Sequence, residues 1–125
     1  MLKKITVVLA GLILFGSINA QNCLEPTEEF AKELKTFLVD GADFEEMAAV
    51  KSRSHKNMYY VAVNLEVPGA SGWALFAANK IDGFGMFYAV DDIANDFSTL
   101  IDGRQTQGSF SASDRAARLA RDCLK

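Results

Sequence analysis

The residues best suited to chemistry lie in one short basic segment of the chain. Residues 51–56 contain His55, the only histidine, together with Lys51, Arg53 and Lys56. Clustered cations can bind an anion, and a histidine among them can act as a general base. The simpler interpretation is a solvated turn between two strands, because the sequence supplies no evident partner to position His55. The segment is therefore a candidate anion site with no catalytic role assigned.

The patterns of common catalytic, nucleotide and metal sites are missing from the sequence. The segment around Ser71 lacks the G-x-S-x-G spacing that presents a serine nucleophile, and Gly83-Phe84-Gly85 lacks the third glycine of a nucleotide loop. The acidic residues from Asp91 to Asp102 do not follow the calcium-loop pattern. One histidine and two cysteines do not make a four-ligand zinc site. We predict no metal and no cofactor, and we favour a protein that is not an enzyme.

Aromatic side chains provide a second candidate site. Tyr59 and Tyr60 are adjacent in a predicted strand, so they point to opposite faces of the sheet, and the same holds for Phe87 and Tyr88. At least one member of each pair then lies outside a core on a single face. We predict a binding surface formed by Tyr60, Trp73, Phe84 and Tyr88. The alternative is that helices cover one face and scattered aromatics lie on the other.

Hydrophobic spacing predicts the first helix. Pro26 and Thr27 are typical of a helix start, and Asp40-Gly41 ends the segment. The apolar residues between them recur at helical spacing, at Phe30, Leu34, Phe37 and Leu38. Residues 42–52 stay open between helix and strand, with a weak strand pattern from Met47 to Ser52.

Three further strands are predicted at residues 58–67, 73–80 and 86–90. In the first of these, Tyr59, Val61 and the following odd-numbered residues are expected on the core face, and Tyr60 and its even-numbered neighbours on a more polar face. Residues 68–72 are predicted to be a loop, and Asp82-Gly83 a turn between strands.

Two helices are predicted after the last strand. Asp91 or Asp92 caps a short one, and Ser111 or Ser113 caps the final one, with a polar loop at residues 102–108 between them. The fold class is therefore α+β. It comprises an N-terminal helix, an antiparallel meander of three or four strands, and one or two C-terminal helices packed on one sheet face.

The first 20 residues have the three parts of a secretory signal peptide. Lys3 and Lys4 precede an apolar run at residues 5–15, and small or polar residues follow, with cleavage expected after Ala20. Gln21 and Asn22 before Cys23 argue against a lipid anchor. We predict a signal peptide at 1–20 and a single domain at 21–125, located in the periplasm or outside the cell, with no stable membrane insertion after cleavage.

The net charge bears on the class of partner, and the two cysteines indicate a disulfide bond. The chain has a net charge of −3, and removal of Lys3 and Lys4 makes it more acidic, which disfavours nucleic acid as a partner. In an exported domain the two cysteines, Cys23 and Cys123, are expected to pair. An intermolecular disulfide and two free thiols are the alternatives.

Several segments resemble a group of small exported bacterial proteins. They are residues 58–63, 73–83, 88–91 and 97–98, and the stretch from Ser113-Asp114 to Cys123. The group has no assigned biochemical function, and many of its members look like lipoproteins, which this sequence does not. The resemblance implies export and a compact domain, and it carries over no catalytic residue.

These observations favour a binding or interaction module whose partner is an unknown protein or small ligand. Two other hypotheses remain open. One is a small secreted hydrolase that uses His55 with a carboxylate brought close by folding, and the other is a purely structural protein of the cell envelope.

Overall fold

The computed structural model describes residues 22–124, so the predicted signal peptide and its cleavage site lie outside the described residues. An antiparallel sheet with strand order β1-β2-β3-β4 is preceded and followed by helices. The predicted α+β class and the meander are thus confirmed. The elements in chain order are α1 Glu28–Thr36, β1 Asp43–Lys51, β2 Tyr59–Val67, β3 Ala70–Ala78, β4 Phe87–Ala89, α2 Asp92–Asp96, a 3-10 turn Gly103–Gln105 and α3 Arg115–Asp122.

Helix α1 begins where the sequence predicts. The Thr27 hydroxyl accepts a hydrogen bond from the Phe30 amide, and Glu28 and Glu29 occupy the first turn, where negative charge is favourable. The helix ends at Thr36, with Phe37 as its C-cap, which is earlier than the predicted Asp40. The segment left open between helix and strand is strand, and β1 starts at Asp43.

The connection between β2 and β3 is tighter than predicted. Instead of a loop over residues 68–72, a turn at Pro68-Gly69 joins strands that pair up to Val67 and Ala70. Gly69 has φ 84°, a left-handed conformation that glycine adopts without steric cost. Strand β3 therefore starts three residues before the predicted Trp73.

The sheet is covered on both faces. One core packs Phe30 and Leu34 of α1, together with Ala94 of α2, against the sheet. The other packs the alanines of α3 against the opposite face, which includes Tyr60, Ala62, Leu75 and Ala77. The helices are therefore divided between the faces rather than gathered on one, and the predicted polar face of β2 is a second apolar interface.

The ends of the described chain are held together covalently. Cys23 and Cys123 form a disulfide, with Cα atoms 5.9 Å apart, as the sequence predicts. The segment before α1 also pairs with the outer edge of β1 through the backbones of Leu24 and Ala49. Within residues 22–124, no helix has the length and apolar character needed to cross a membrane.

The helix caps after β4 are partly as predicted. The Asp91 carboxylate accepts a hydrogen bond from the Ala94 amide at the start of α2. Helix α3 is different, because its N-cap is Asp114 rather than Ser111 or Ser113, and the Asp114 side chain makes no capping hydrogen bond. That carboxylate is engaged elsewhere, and its partners define the candidate site.

Candidate functional site

The four aromatic residues of the predicted surface do not form one patch. Tyr60 is fully buried because α3 covers its face of the sheet, so it cannot contact a partner there. Trp73 and Tyr88 are half-buried, and the Tyr88 ring lies 5.5 Å from that of Phe110. Phe84 is 67% exposed but packs beside Phe87, which belongs to the core on the other face.

The basic segment, in contrast, forms an ordered turn between β1 and β2. Ser52 is buried, and its hydroxyl accepts a hydrogen bond from the His55 amide at 3.0 Å, while its own amide donates to the Met58 carbonyl. Asn57 completes the turn with φ 59°, a left-handed conformation that asparagine tolerates well. The turn is thus defined by local hydrogen bonds, and it directs His55 inward.

The His55 ring is held between the turn and the loop before α3. Its side chain is 16% exposed, and it stacks on Phe110 with the ring centroids 4.4 Å apart. Its Nε2 atom bonds the carbonyl of Gly108. A carbonyl only accepts, so Nε2 carries a proton, and Nδ1 of the neutral ring is an acceptor. The Ser54 hydroxyl lies 2.9 Å from Nδ1 and the Ser52 hydroxyl 3.3 Å from it.

Asp114 supplies the carboxylate that the sequence left unidentified. Its Oδ2 atom accepts hydrogen bonds from the Tyr60 hydroxyl and, at 3.2 Å, from the Ser54 hydroxyl, and it lies 3.9 Å from His55 Nδ1. The Tyr60 oxygen in turn accepts from the Ser111 amide. Burial and the neighbouring Asp114 raise the pKa of Tyr60, so the phenol stays protonated and remains a donor. We call Ser52, Ser54, His55, Tyr60 and Asp114 the serine–histidine cluster.

A pocket of about 190 Å³ opens beside this cluster, and Ser54 and Asp114 are part of its wall. We call it the basic pocket because three cations line it, Lys51, Arg53 and Arg115. None of the three forms an ion pair with any residue of the described range 22–124. The rest of the lining is Asn22 together with the apolar side chains of Val50, Ala116 and Leu119.

The structure therefore divides the predicted anion site. Lys51 and Arg53 line the basic pocket, and both also line a broader groove that continues past Asn22. His55 belongs to the serine–histidine cluster and is not part of the pocket lining, and Lys56 is exposed on the turn outside that lining. Arg115, the first residue of α3, also lines the pocket and is not among the predicted site residues. Among residues 22–124, no group of three or more His, Cys, Asp or Glu side chains is arranged to hold a metal ion.

No family model, no curated protein and no solved structure matches this chain. The resemblance to small exported bacterial proteins thus stays a prediction.

The Tyr60 hydroxyl is expected to hold the cluster together. Tyr60→Phe removes the donor to Asp114 and leaves the Ser111 amide without its acceptor, so the free energy of unfolding should fall by about 2 kcal/mol. Urea denaturation followed by fluorescence measures the change. Tyr59→Phe is the matched control, because Tyr59 is half-buried and its hydroxyl makes no hydrogen bond within residues 22–124. This change should alter the free energy of unfolding by less than about 0.5 kcal/mol. Equal losses in the two variants would contradict the role given to this bond.

Proposed function

We propose that the protein is an exported binding module whose basic pocket binds a small organic anion. The observation that carries the proposal is the set of three cations, Lys51, Arg53 and Arg115, that line one pocket without ion-pair partners among residues 22–124. Unpaired cations in a concave wall attract an anion more strongly than the same cations on a flat surface, because the surrounding protein concentrates their field.

Helix α3 adds to this attraction. Ala116 in its first turn lines the pocket, and the Asp114 side chain gives the helix no capping hydrogen bond. The positive end of the helix dipole therefore acts in the same direction as the cations. The Asp114 carboxylate offsets part of the charge, but its Oδ2 atom already accepts the hydrogen bond from Tyr60.

The volume and lining of the pocket also limit the size and polarity of the ligand that it can bind. Its volume of about 190 Å³ is below the roughly 300–1,000 Å³ that is usual for drug-sized ligands, so the ligand is small. Val50, Ala116 and Leu119 provide an apolar part of the wall. A carboxylate or phosphate group attached to a short apolar body fits both properties.

Export is part of the same proposal. A disulfide between distant cysteines is typical of oxidising compartments, and the first 20 residues have the pattern of a secretory signal. The acidic net charge disfavours nucleic acid as the anion, because a nucleic-acid surface needs a broad basic patch rather than a small pocket.

The proposal is tested by titrating the purified protein with benzoate and following amide resonances by two-dimensional NMR. Benzoate should shift resonances of residues 50–54 and 114–116, and benzamide, which has the same shape without charge, should not. Arg53→Gln should weaken benzoate binding about tenfold through loss of one charge-assisted contact. Lys56→Gln is the matched control, since it removes a charge from the same turn but outside the pocket, and its effect should be under about twofold.

Two results would overturn the anion pocket. One is equal binding of benzoate and benzamide, and the other is binding that Lys56→Gln weakens as much as Arg53→Gln does. Native mass spectrometry of protein from the exported fraction would then show whether a ligand of another class is bound.

A further inference from the structure

We infer that Ser54 is a nucleophile activated by His55, and that the basic pocket hydrolyses small carboxylic esters. The inference rests on the proposed function for one feature only, the preference for esters that carry an anionic group. The reactivity of Ser54 itself follows from the serine–histidine cluster and needs no anion.

The hydroxyl proton of Ser54 has two acceptors within reach. One is Nδ1 of His55 at 2.9 Å, and the other is Oδ2 of Asp114 at 3.2 Å. Because the Gly108 carbonyl holds the only proton of the neutral ring on Nε2, Nδ1 is free to take another. A serine beside a histidine that can accept its proton is the arrangement that activates hydroxyl nucleophiles.

The nucleophile is exposed to solvent, whereas the base is largely shielded from it, as a hydrolytic site requires. Ser54 is exposed and lines the basic pocket, so a substrate can reach it. His55 is 16% exposed and is shielded by the stacked ring of Phe110. The imidazolium that forms on proton transfer is stabilised by Asp114 at 3.9 Å and by the Gly108 carbonyl. Serine hydrolases more often use Nε2 for the serine, but a backbone carbonyl on the opposite nitrogen also fixes the tautomer and the orientation of the ring.

The reaction balances with water as the only co-reactant. Ser54 Oγ bonds to the carbonyl carbon of the ester while its proton moves to His55 Nδ1. The bond to the leaving oxygen then breaks, and that oxygen takes the proton from Nδ1, which releases the alcohol. Water attacks the acyl-serine, gives a proton to Nδ1, and the free acid leaves as that proton returns to Ser54 Oγ. Arg53, Arg115 and the start of α3 place positive charge in the pocket, where the transient oxyanion forms.

The first test uses the wild-type protein and the neutral ester 4-nitrophenyl acetate. Release of 4-nitrophenolate should show a burst, and mass spectrometry should find one acetyl group on the peptide that contains Ser54. Ser54→Ala should lower the rate at least about 100-fold, and His55→Gln should lower it similarly, since an amide cannot accept the proton. Ser71→Ala is the control, an exposed serine at the far end of the sheet, and should leave the rate unchanged.

Acetylation elsewhere, for instance on Lys51, or a Ser54→Ala rate equal to the wild type would overturn the inference. Different results would contradict the anion pocket and the Ser54 nucleophile. If only the anion pocket is wrong, Ser54 is acetylated but the half-ester mono-4-nitrophenyl glutarate reacts no faster than the neutral ester. If only the nucleophile is wrong, benzoate binds and no ester acylates Ser54.

Discussion

Replacing Cys23 and Cys123 together by serine is expected to lower the free energy of unfolding by about 4 kcal/mol. The disulfide closes a loop with a sequence separation of 100, and cross-links of that length remove roughly 4.7 kcal/mol of chain entropy from the unfolded state. A small domain has about 5–15 kcal/mol of stability in total, so this loss would leave the variant marginal. Urea denaturation of the oxidised wild type and of the double variant measures the difference.

A matched experiment separates the effect of losing the disulfide bond from the effect of changing the two side chains to serine. Wild-type protein unfolded in urea with a reductant should have the same transition midpoint as the double serine variant without reductant. A difference below about 1 kcal/mol between oxidised and reduced protein would show that the folded domain does not depend on the cross-link.

Phe30→Ala is expected to lower the free energy of unfolding by about 4 kcal/mol, an effect similar in size to loss of the disulfide. Helix α1 has two buried residues, Phe30 and Leu34, and both are fully inaccessible to solvent. Phe30 also meets Phe87 edge-to-face with ring centroids 5.2 Å apart. Truncation leaves a cavity in addition to the lost burial, because a strand and a helix cannot both move in to fill it. Thermal and urea denaturation both report the loss.

Lys32→Ala is the control for helix propensity, since Lys32 is exposed on the same helix and alanine favours helix at least as well as lysine. It should change stability by less than about 0.5 kcal/mol. A comparable loss in both variants would mean that the helix itself, rather than its buried face, is sensitive to substitution.

The strands could be predicted from the sequence because their signals are local. The apolar run of β2 and the Thr27 cap of α1 depend on near neighbours only. Asp82-Gly83 does lie between β3 and β4, but the connection spans residues 79–86 and is not a tight turn. The connection between β2 and β3 is shorter than its local sequence predicts. Pro68-Gly69 completes the β2–β3 connection without the additional residues that its glycine-rich surroundings indicated.

Helices cover both faces of the sheet, whereas the sequence predicts them on one face. The sequence of β3 does contain a sign of burial on both faces. Residues 74–78 of β3 form an unbroken apolar run, and such a run is typical of a strand buried on both sides. The even-numbered residues of β2 include Tyr60 and Ala62, which can be buried if a helix supplies small side chains opposite. Three alanines of α3 do this, but only the folded chain shows which face that helix covers.

The site was predicted in part. The cations of the turn can be recognised from composition. Asp114, the carboxylate near His55 and Ser54, cannot, because it lies 60 residues from Ser54 in sequence. Asp114 directly precedes a helix, where an aspartate usually caps the backbone. Nothing local distinguishes an aspartate that caps from one that turns away to bond Tyr60, so this pairing had to come from the structure.

The disulfide also determines how the domain responds to mechanical load. A pull applied to segments outside Cys23 and Cys123 passes through the sulfur–sulfur bond, since the bond joins the two points where force would enter. The sheet and helices between them lie outside the load path and should keep their length under tension. Force spectroscopy of the oxidised domain would accordingly show no long extension event, and reduction would restore one. Under tension, the oxidised domain would thus behave as a short rigid link.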